Sequence, residues 1–427
     1  MNGATAVLLA LLLVVSLPAV AVTAADSGAG SVGNDLAGVG ESPQQEDSLH
    51  VSSVESNNTT EYAAPVEAND TTNRLQLDGD VRSEHTDHSN DLGTALASSD
   101  DELRVDHKQY RLLDREFDDA STEEQAEMVE AAYDRLKERS DGLESREREV
   151  VREHADGGPS TTELIQTLIR NHNEAEVLSS VLSDLRDRAN EIRGYSISPQ
   201  EANAVDKVLN FHTTPIRSDL ESTMQPNQRT ELLIQTSEDG YSISTVDDRN
   251  YVVETTRFSH RDTDKPDQFA TIETSEALDR TMVFYPWADT HGSPHFQDHS
   301  SENLYWLDVG HTQGALEVYV DGGTASVHRE IQQLRVASLP TTDETNWIED
   351  DLELSITETP ANGPAKVSVT GADDDEPQNA TVSVDGTEVG ETGIDGTLWI
   401  LPPASEYDVE VASADGTVEV TVSGGEG

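Results

Sequence analysis

From Leu164 to Ile192 the apolar and small residues return in alternating steps of four and three. They fall on Leu164, Leu168, Asn171, Ala175, Leu178, Leu182, Leu185, Ala189 and Ile192. That 3.5-residue period is the seam of a coiled coil. A weaker seam runs through Val129, Tyr133, Leu136, Ser140, Leu143, Glu147, Val150 and His154, and another through Leu92, Leu96, Ser99, Leu103, Asp106, Tyr110, Leu113 and Phe117. Glu, Asp and Arg fill the positions between, as a solvated helix face requires. Ser121-Thr-Glu-Glu124 and Ser160-Thr-Thr-Glu163 both fit a capping box. Gly157, Gly158 and Pro159 break the chain between them. The pattern predicts helices over 122–154 and 161–193, each about 50 Å long at 1.5 Å per residue. A short loop between equal helices implies an antiparallel hairpin. With the 91–117 helix it would form a coiled-coil bundle over 89–225, extended by a short helix from Ser198 to Phe211 and a start at Pro215.

From Glu231 the period changes to two. Leu232–Gln235, Tyr241–Val246 and Tyr251–Phe258 alternate as strands, and a helix is expected from about Ser275 to Tyr285. Leu304–Val309 and Ala315–Val320 form the next hairpin. Thr324–Ser338 then reads as a helix with Val327, Ile331, Leu334 and Val336 near its buried side. The order is strand, strand, helix, twice over, which predicts a small α+β domain across 230–340 with both helices on one face of a sheet. Six alternating segments, near 351–357, 365–370, 380–385, 396–401, 406–412 and 416–423, several of them separated by Asp-Gly turns, predict a β-sandwich over 350–427.

Two stretches carry family likenesses. Tyr305-Trp-Leu-Asp-Val309, Leu316-Glu-Val-Tyr-Val-Asp321, Gly323-Thr324 and Val327 resemble the PepSY-type modules of exported proteins, although Ala325 stands where those modules have Gly. That resemblance implies a binding or inhibitory module. Ala380-Thr-Val-Ser-Val-Asp-Gly-Thr-Glu-Val-Gly390, followed by Gly393 to Leu401, resembles carboxypeptidase-regulatory-like β-sandwich domains and implies an accessory role. The chain as a whole resembles uncharacterised exported proteins of haloarchaea.

Charge and the N-terminus set the compartment. Acidic residues number 84 against 27 basic ones, a formal net charge of −57 over 427 residues. Such self-repulsion opposes compaction at low salt and is screened within about 3 Å at 1 M salt. The excess is that of an extreme halophile, and it argues against nucleic acid as a partner. Ala6 to Val22 is almost wholly apolar, followed by Val22-Thr23-Ala24 as a cleavage site, so 1–25 is expected to be a signal peptide. If the segment is retained, about 17 apolar residues just suffice as a membrane anchor. Residues 26–88, rich in Ser, Asp and Asn, are expected to be a disordered acidic linker. There is no Cys, which excludes disulfides and thiolate metal sites.

The candidate chemistry is sparse. Asp289, His291, His295, Asp298 and His299 place imidazoles and carboxylates in one stretch read as a loop, a donor set suited to a divalent ion. His291, His295, Asp298 and His299 are the candidate ligands, and no other cofactor is implied. Gly194-Tyr-Ser-Ile-Ser198 and Gly240-Tyr-Ser-Ile-Ser244 lack the final Gly of a nucleophile elbow. Asn57, Asn58, Asn69 and Asn379 are N-glycosylation acceptor sites. The sequence thus implies a multidomain chain with an antiparallel helical coiled-coil bundle, a small α+β domain and a C-terminal β-sandwich. The expected function is a non-enzymatic exported or cell-envelope interaction protein. Its rod would present binding domains to a protein or cell-surface partner and could self-associate. A metal-dependent hydrolase built on His291–His299 is the alternative.

Overall fold

The computed structural model describes residues 64–89, 97, 117–222, 229–247 and 249–423. The apolar N-terminal segment, Asn57, Asn58 and nearly all of the 91–117 helix expectation lie outside them.

An eight-stranded antiparallel sheet organises the chain. Its strands are β1 (Arg82–Ser89), β2 (Arg229–Ser237), β3 (Gly240–Val246), β4 (Asn250–Arg257), β5 (Gly292–His299), β6 (Leu304–His311), β7 (Gly314–Asp321) and β8 (Ser326–Arg335). Their order across the sheet is β1-β2-β3-β4-β8-β7-β6-β5. The helices α1 (Thr122–Ala155), α2 (Thr161–Glu191), α3 (Pro199–Leu209) and α4 (Pro215–Ser222) cover one face. The short helices α5 (Thr274–Met282) and α6 (Pro286–His291) pack on the other.

The expected coiled-coil bundle is not what forms. α1 and α2 do run antiparallel, and both open with complete capping boxes. Yet Leu164, Ile165, Leu168, Ile169 and Val151 pack on Leu232, Ile234, Tyr241, Ile243 and Phe258 of the sheet region, with Ile216 and Leu220 of α4. Only the far half of the pair closes on itself and on α3, through Leu136, Leu178, Leu182, Leu185, Val205 and Leu209. The reason lies in the width of the buried stripe. α2 buries Ile165, Ile169, His172 and Val181 beside its seam positions, a face too wide for one helical partner. The helices are thus a cover for a sheet and not a rod. Ser121→Ala is expected to lower stability by about 1 kcal/mol, read as a shifted urea midpoint at unchanged slope. An unmoved midpoint would mean that the Ser121 to Glu124 cap contributes nothing.

The repeated strand–strand–helix unit is overturned as well. Residues 326–335 are β8, an interior strand between β4 and β7, where the periodicity implied a helix. Val327, Ile331 and Leu334 have helical spacing, but β8 is buried on both faces and carries His328, Arg329, Glu330 and Gln332 inside, which hides the period of two. A bulge adds to this: Tyr319 faces Arg329 and Val320 faces Val327, so the register skips His328.

Residues 64–88, expected to be disordered, are built into the fold. Leu75 is buried, and β1 pairs with β2 along its whole length, from Arg82 opposite Thr236 to Ser89 opposite Arg229.

The C-terminal β-sandwich is present. One sheet has the order β14-β11-β10-β9 and the other β13-β12-β15-β16. These strands are β9 (Glu344–Glu349), β10 (Leu352–Thr357), β11 (Ala365–Gly371), β12 (Thr381–Val384), β13 (Thr387–Glu391), β14 (Thr397–Ile400), β15 (Tyr407–Ala412) and β16 (Thr417–Val422). Alternate residues such as Leu354, Val367, Val382, Val409 and Val418 meet in its core. Among the described residues no helix is long and apolar enough to cross a membrane.

Candidate functional site

The expected metal residues are spread along α6 and β5. His291 ends α6, where its Nδ1–H donates to the Trp287 carbonyl at 2.9 Å and its ring stacks on the indole at 4.5 Å. His295 lies edge-on to Trp306 at 5.3 Å. Asp298 accepts from the Ser300 amide at 2.7 Å. His299 is buried, and burial pushes its imidazole below the ordinary value. His295 and His299 sit four apart on a strand, about 13 Å at 3.3 Å per residue, and Asp298 points to the opposite face. The structure therefore does not gather these side chains. Among the described residues the His/carboxylate group with metal-binding spacing is instead His172, Glu176 and Glu221. Asn69 and Asn379 are both exposed.

The densest polar constellation lies between the helices and the sheet. Glu147 of α1, Arg217 of α4, Glu254 of β4 and Arg329 of β8 are each 0 % exposed. Arg217 donates to Glu147 at 2.9 Å and to Glu254 at 2.9 Å. Arg329 donates to Glu147 at 2.9 Å and to Glu254 at 3.0 Å. Two guanidiniums thus alternate with two carboxylates, and the charges cancel. The Tyr241 hydroxyl lies 2.9 Å from Glu147 and 2.5 Å from Glu254. Thr214 donates to Glu254, and Arg329 also donates to the Phe211 carbonyl. Asn171 of α2 donates to Glu147 at 3.3 Å, and His212 donates from Nδ1 at 3.1 Å. Burial alone would raise the Glu147 carboxyl, but Arg217, Arg329 and His212 outweigh it and hold it well below the usual range. Glu254 is likewise lowered by the two guanidiniums against burial.

None of these residues was singled out for chemistry in the sequence, although one signal was present. Glu147 and Asn171 occupy seam positions, and a charged or amide residue in register with leucines marks an interior polar contact. Their partners on β3, β4 and β8 are too distant in sequence to be inferred from one chain.

A second buried pair contributes to the pH response. The Nδ1–H of His260 donates to the Val327 carbonyl at 2.6 Å, and that of His328 to the Arg257 carbonyl at 2.9 Å. Burial, aided by Arg257, pushes His260 down to about 4. Burial, with Arg261 and Arg329, holds His328 well below its ordinary value. Below pH 6.5 the unfolded chain takes up protons that the folded chain refuses, so stability falls as pH falls. Glu330, raised by burial to about 7, acts in the opposite sense between its folded and unfolded values. Two histidines against one carboxyl leave these three groups with a net loss of stability as pH falls from 6.5 to 4.5, approaching about 1.4 kcal/mol per pH unit once both unfolded imidazoles are protonated. Urea titrations at fixed salt check this, and a flat profile would show that water reaches the rings.

The sheet's other face meets the C-terminal sandwich. Leu233, Tyr251, Val253, Leu334 and Val336 pack against Leu401, with Trp399 half-buried beside them. His85 of β1 donates from Nε2 to the Leu401 carbonyl at 2.9 Å. Arg74 donates to the Ala361 carbonyl at 3.0 Å and lies over the Tyr251 ring at 5.1 Å. The strap around Leu75 is pinned to β8, where the Glu330 carboxylate accepts from the Leu75 amide at 3.0 Å and Gln332 donates to the Asn73 carbonyl at 2.7 Å. A cleft lined by Leu77, Ser242, Thr255, Ala361 and Pro402 remains between strap, sheet and sandwich.

Comparison with known families divides the chain at the same places. Residues 343–420 match the archaeal fibronectin-III type-like domain, which replaces the carboxypeptidase-regulatory-like likeness for the sandwich. Residues 232–340 match a family of unknown function (DUF7094), and no PepSY match accompanies it. Residues 1–229 match a domain of unknown function (DUF7096). No curated protein matches the chain. The buried charge cluster spans the junction of the first two matches, with Glu147, His212 and Arg217 on one side and Tyr241, Glu254 and Arg329 on the other. Since the first match covers more than half of the 427 residues, the chain belongs to the DUF7096 family, here joined to DUF7094 and an archaeal fibronectin-III type-like domain.

Proposed function

We propose that the protein is a non-enzymatic structural or interaction protein, exported by an extreme halophile and held outside the cytoplasm. One observation carries the non-enzymatic part. The densest group of acid–base side chains, Glu147, Arg217, Glu254 and Arg329, is 0 % exposed and ion-paired within itself, so these residues brace the fold and cannot meet a substrate. The archaeal fibronectin-III type-like domain supports the reading, as does its attachment to the sheet through apolar contacts and the Arg74 strap. The cleft beside that strap is the surface offered to a protein or cell-surface partner. The apolar stretch Ala6–Val22 and the net charge of −57 support export into high salt. On this reading exposed Asn69 and Asn379 are accessible glycan acceptors.

The test is protease shaving of intact halophilic cells that express the chain with a C-terminal tag. Loss of the tag while a cytoplasmic marker survives is the expected result. A tag protected until lysis would overturn the extracytoplasmic assignment.

A further inference from the structure

We propose that His172, Glu176 and Glu221 form a binding site for one divalent transition-metal ion, of the zinc or cobalt class, between α2 and α4. Three observations meet there. The three ligand atoms all lie within 4.8 Å of one another. His172 Nε2 is 3.3 Å from a Glu221 oxygen and 3.8 Å from a Glu176 oxygen. The imidazole is 1 % exposed, so its position is set by packing and not by solvent.

The far side of the ring adds to these. His172 Nδ1 lies 3.0 Å from the His212 carbonyl oxygen. A carbonyl oxygen only accepts, so Nδ1 carries the proton. In the neutral ring Nε2 then presents a lone pair to two carboxylates, which are also acceptors only. A proton, on the ring or on a carboxyl group, or a metal ion must lie between them. The arrangement is that of metal-ligating histidines, whose other nitrogen donates to a backbone carbonyl that fixes tautomer and orientation. His172 and Glu176 are one helical turn apart on α2 and share a face. Glu176 has a side chain 56 % exposed and can rotate to shorten its distance. One imidazole with two carboxylates suits zinc or cobalt, whereas calcium and magnesium favour all-oxygen shells.

The site also touches the buried charge cluster. The carbonyl that orients His172 belongs to His212, whose own ring donates to Glu147. An ion at this place ties α4 to α2 through Glu221, one helical turn along α4 from Arg217.

The experiment uses the full chain in multimolar salt, stripped with a chelator, dialysed, and loaded with Co²⁺ or Zn²⁺ alone. One ion retained per chain, with a Co²⁺ visible absorption band, is expected. Loss of an outer-shell partner weakens metal sites by about 10–100-fold, so Glu221→Gln and Glu176→Gln should each weaken retention by at least that much. Glu176→Gln alters an exposed side chain, so it keeps the test valid if His172→Gln fails to fold. Replacing His291, His295 and His299 together by Ala should leave retention unchanged. A folded parent that holds no stoichiometric ion would overturn the proposal and leave a proton between the ring and the carboxyl groups. So would retention that survives Glu176→Gln and Glu221→Gln, or that is lost only in the triple histidine variant.

Discussion

Arg217→Met is expected to destabilise the fold by about 3–5 kcal/mol. The side chain is fully buried and donates to both carboxylates of the cluster, from Nη1 to Glu147 and from Nε and Nη2 to Glu254. Met keeps much of the volume but removes the charge. Two carboxylates would then share the Arg329 guanidinium in a dry interior, with one negative charge uncompensated. Neutralising the surplus should restore part of the loss. The double variant Arg217→Met/Glu147→Gln is therefore expected to be more stable than the sum of the single changes, by a coupling of about 0.5–3 kcal/mol. Urea unfolding at fixed salt measures both. A single variant within about 1 kcal/mol of the parent, a surface-pair value, would show that water enters the cluster.

Removal of salt should act on the outside of the molecule as that substitution acts on the inside. On the halophile reading, transfer from multimolar salt to about 0.01 M lengthens the screening distance from under 3 Å to about 30 Å. A net charge of −57 then repels itself across the whole surface. Loss of the native circular dichroism is the expected result, with recovery when salt is restored. The Arg217→Met penalty should change little with salt before that transition, because buried pairs are screened far less than exposed ones. A chain that keeps its fold at low salt would end the halophile reading.

What the sequence disclosed follows the range of each interaction. Local signals were legible: the capping boxes at Ser121 and Ser160, the α1–α2 turn, and the strands of the sandwich with their Asp-Gly turns. Seam residues such as Leu168, Leu178 and Leu182 are indeed buried. What they are buried against was not legible, because a heptad says only that one face is apolar, and a sheet satisfies it as well as a helix does. β8 escaped because an interior strand with Arg329, Glu330 and Gln332 has no apolar alternation to detect. β1 escaped because a polar segment, Arg82-Ser-Glu-His-Thr-Asp-His-Ser89, forms a strand only by pairing with β2. For the candidate sites, the histidine-rich stretch was easy to see and is not gathered. His172, Glu176 and Glu221 converge only once α4 packs on α2.

The pairing of β1 with β2 also bears on how the chain folds. Arg82 faces Thr236, and between them the chain makes the entire helical layer. Every other neighbouring pair in the sheet except β4–β8 is joined by a short connection. Closing so long a loop carries a large entropic penalty before any ladder bond forms. β1 is therefore expected to dock late in folding and open early, the least protected strand in hydrogen exchange. Until it docks, β2 is an open edge with unpaired N–H and C=O groups, a template for pairing with another copy. The polar strand ahead of the helices thus protects the sheet against aggregation, and truncating the chain past Ser89 should produce insoluble protein.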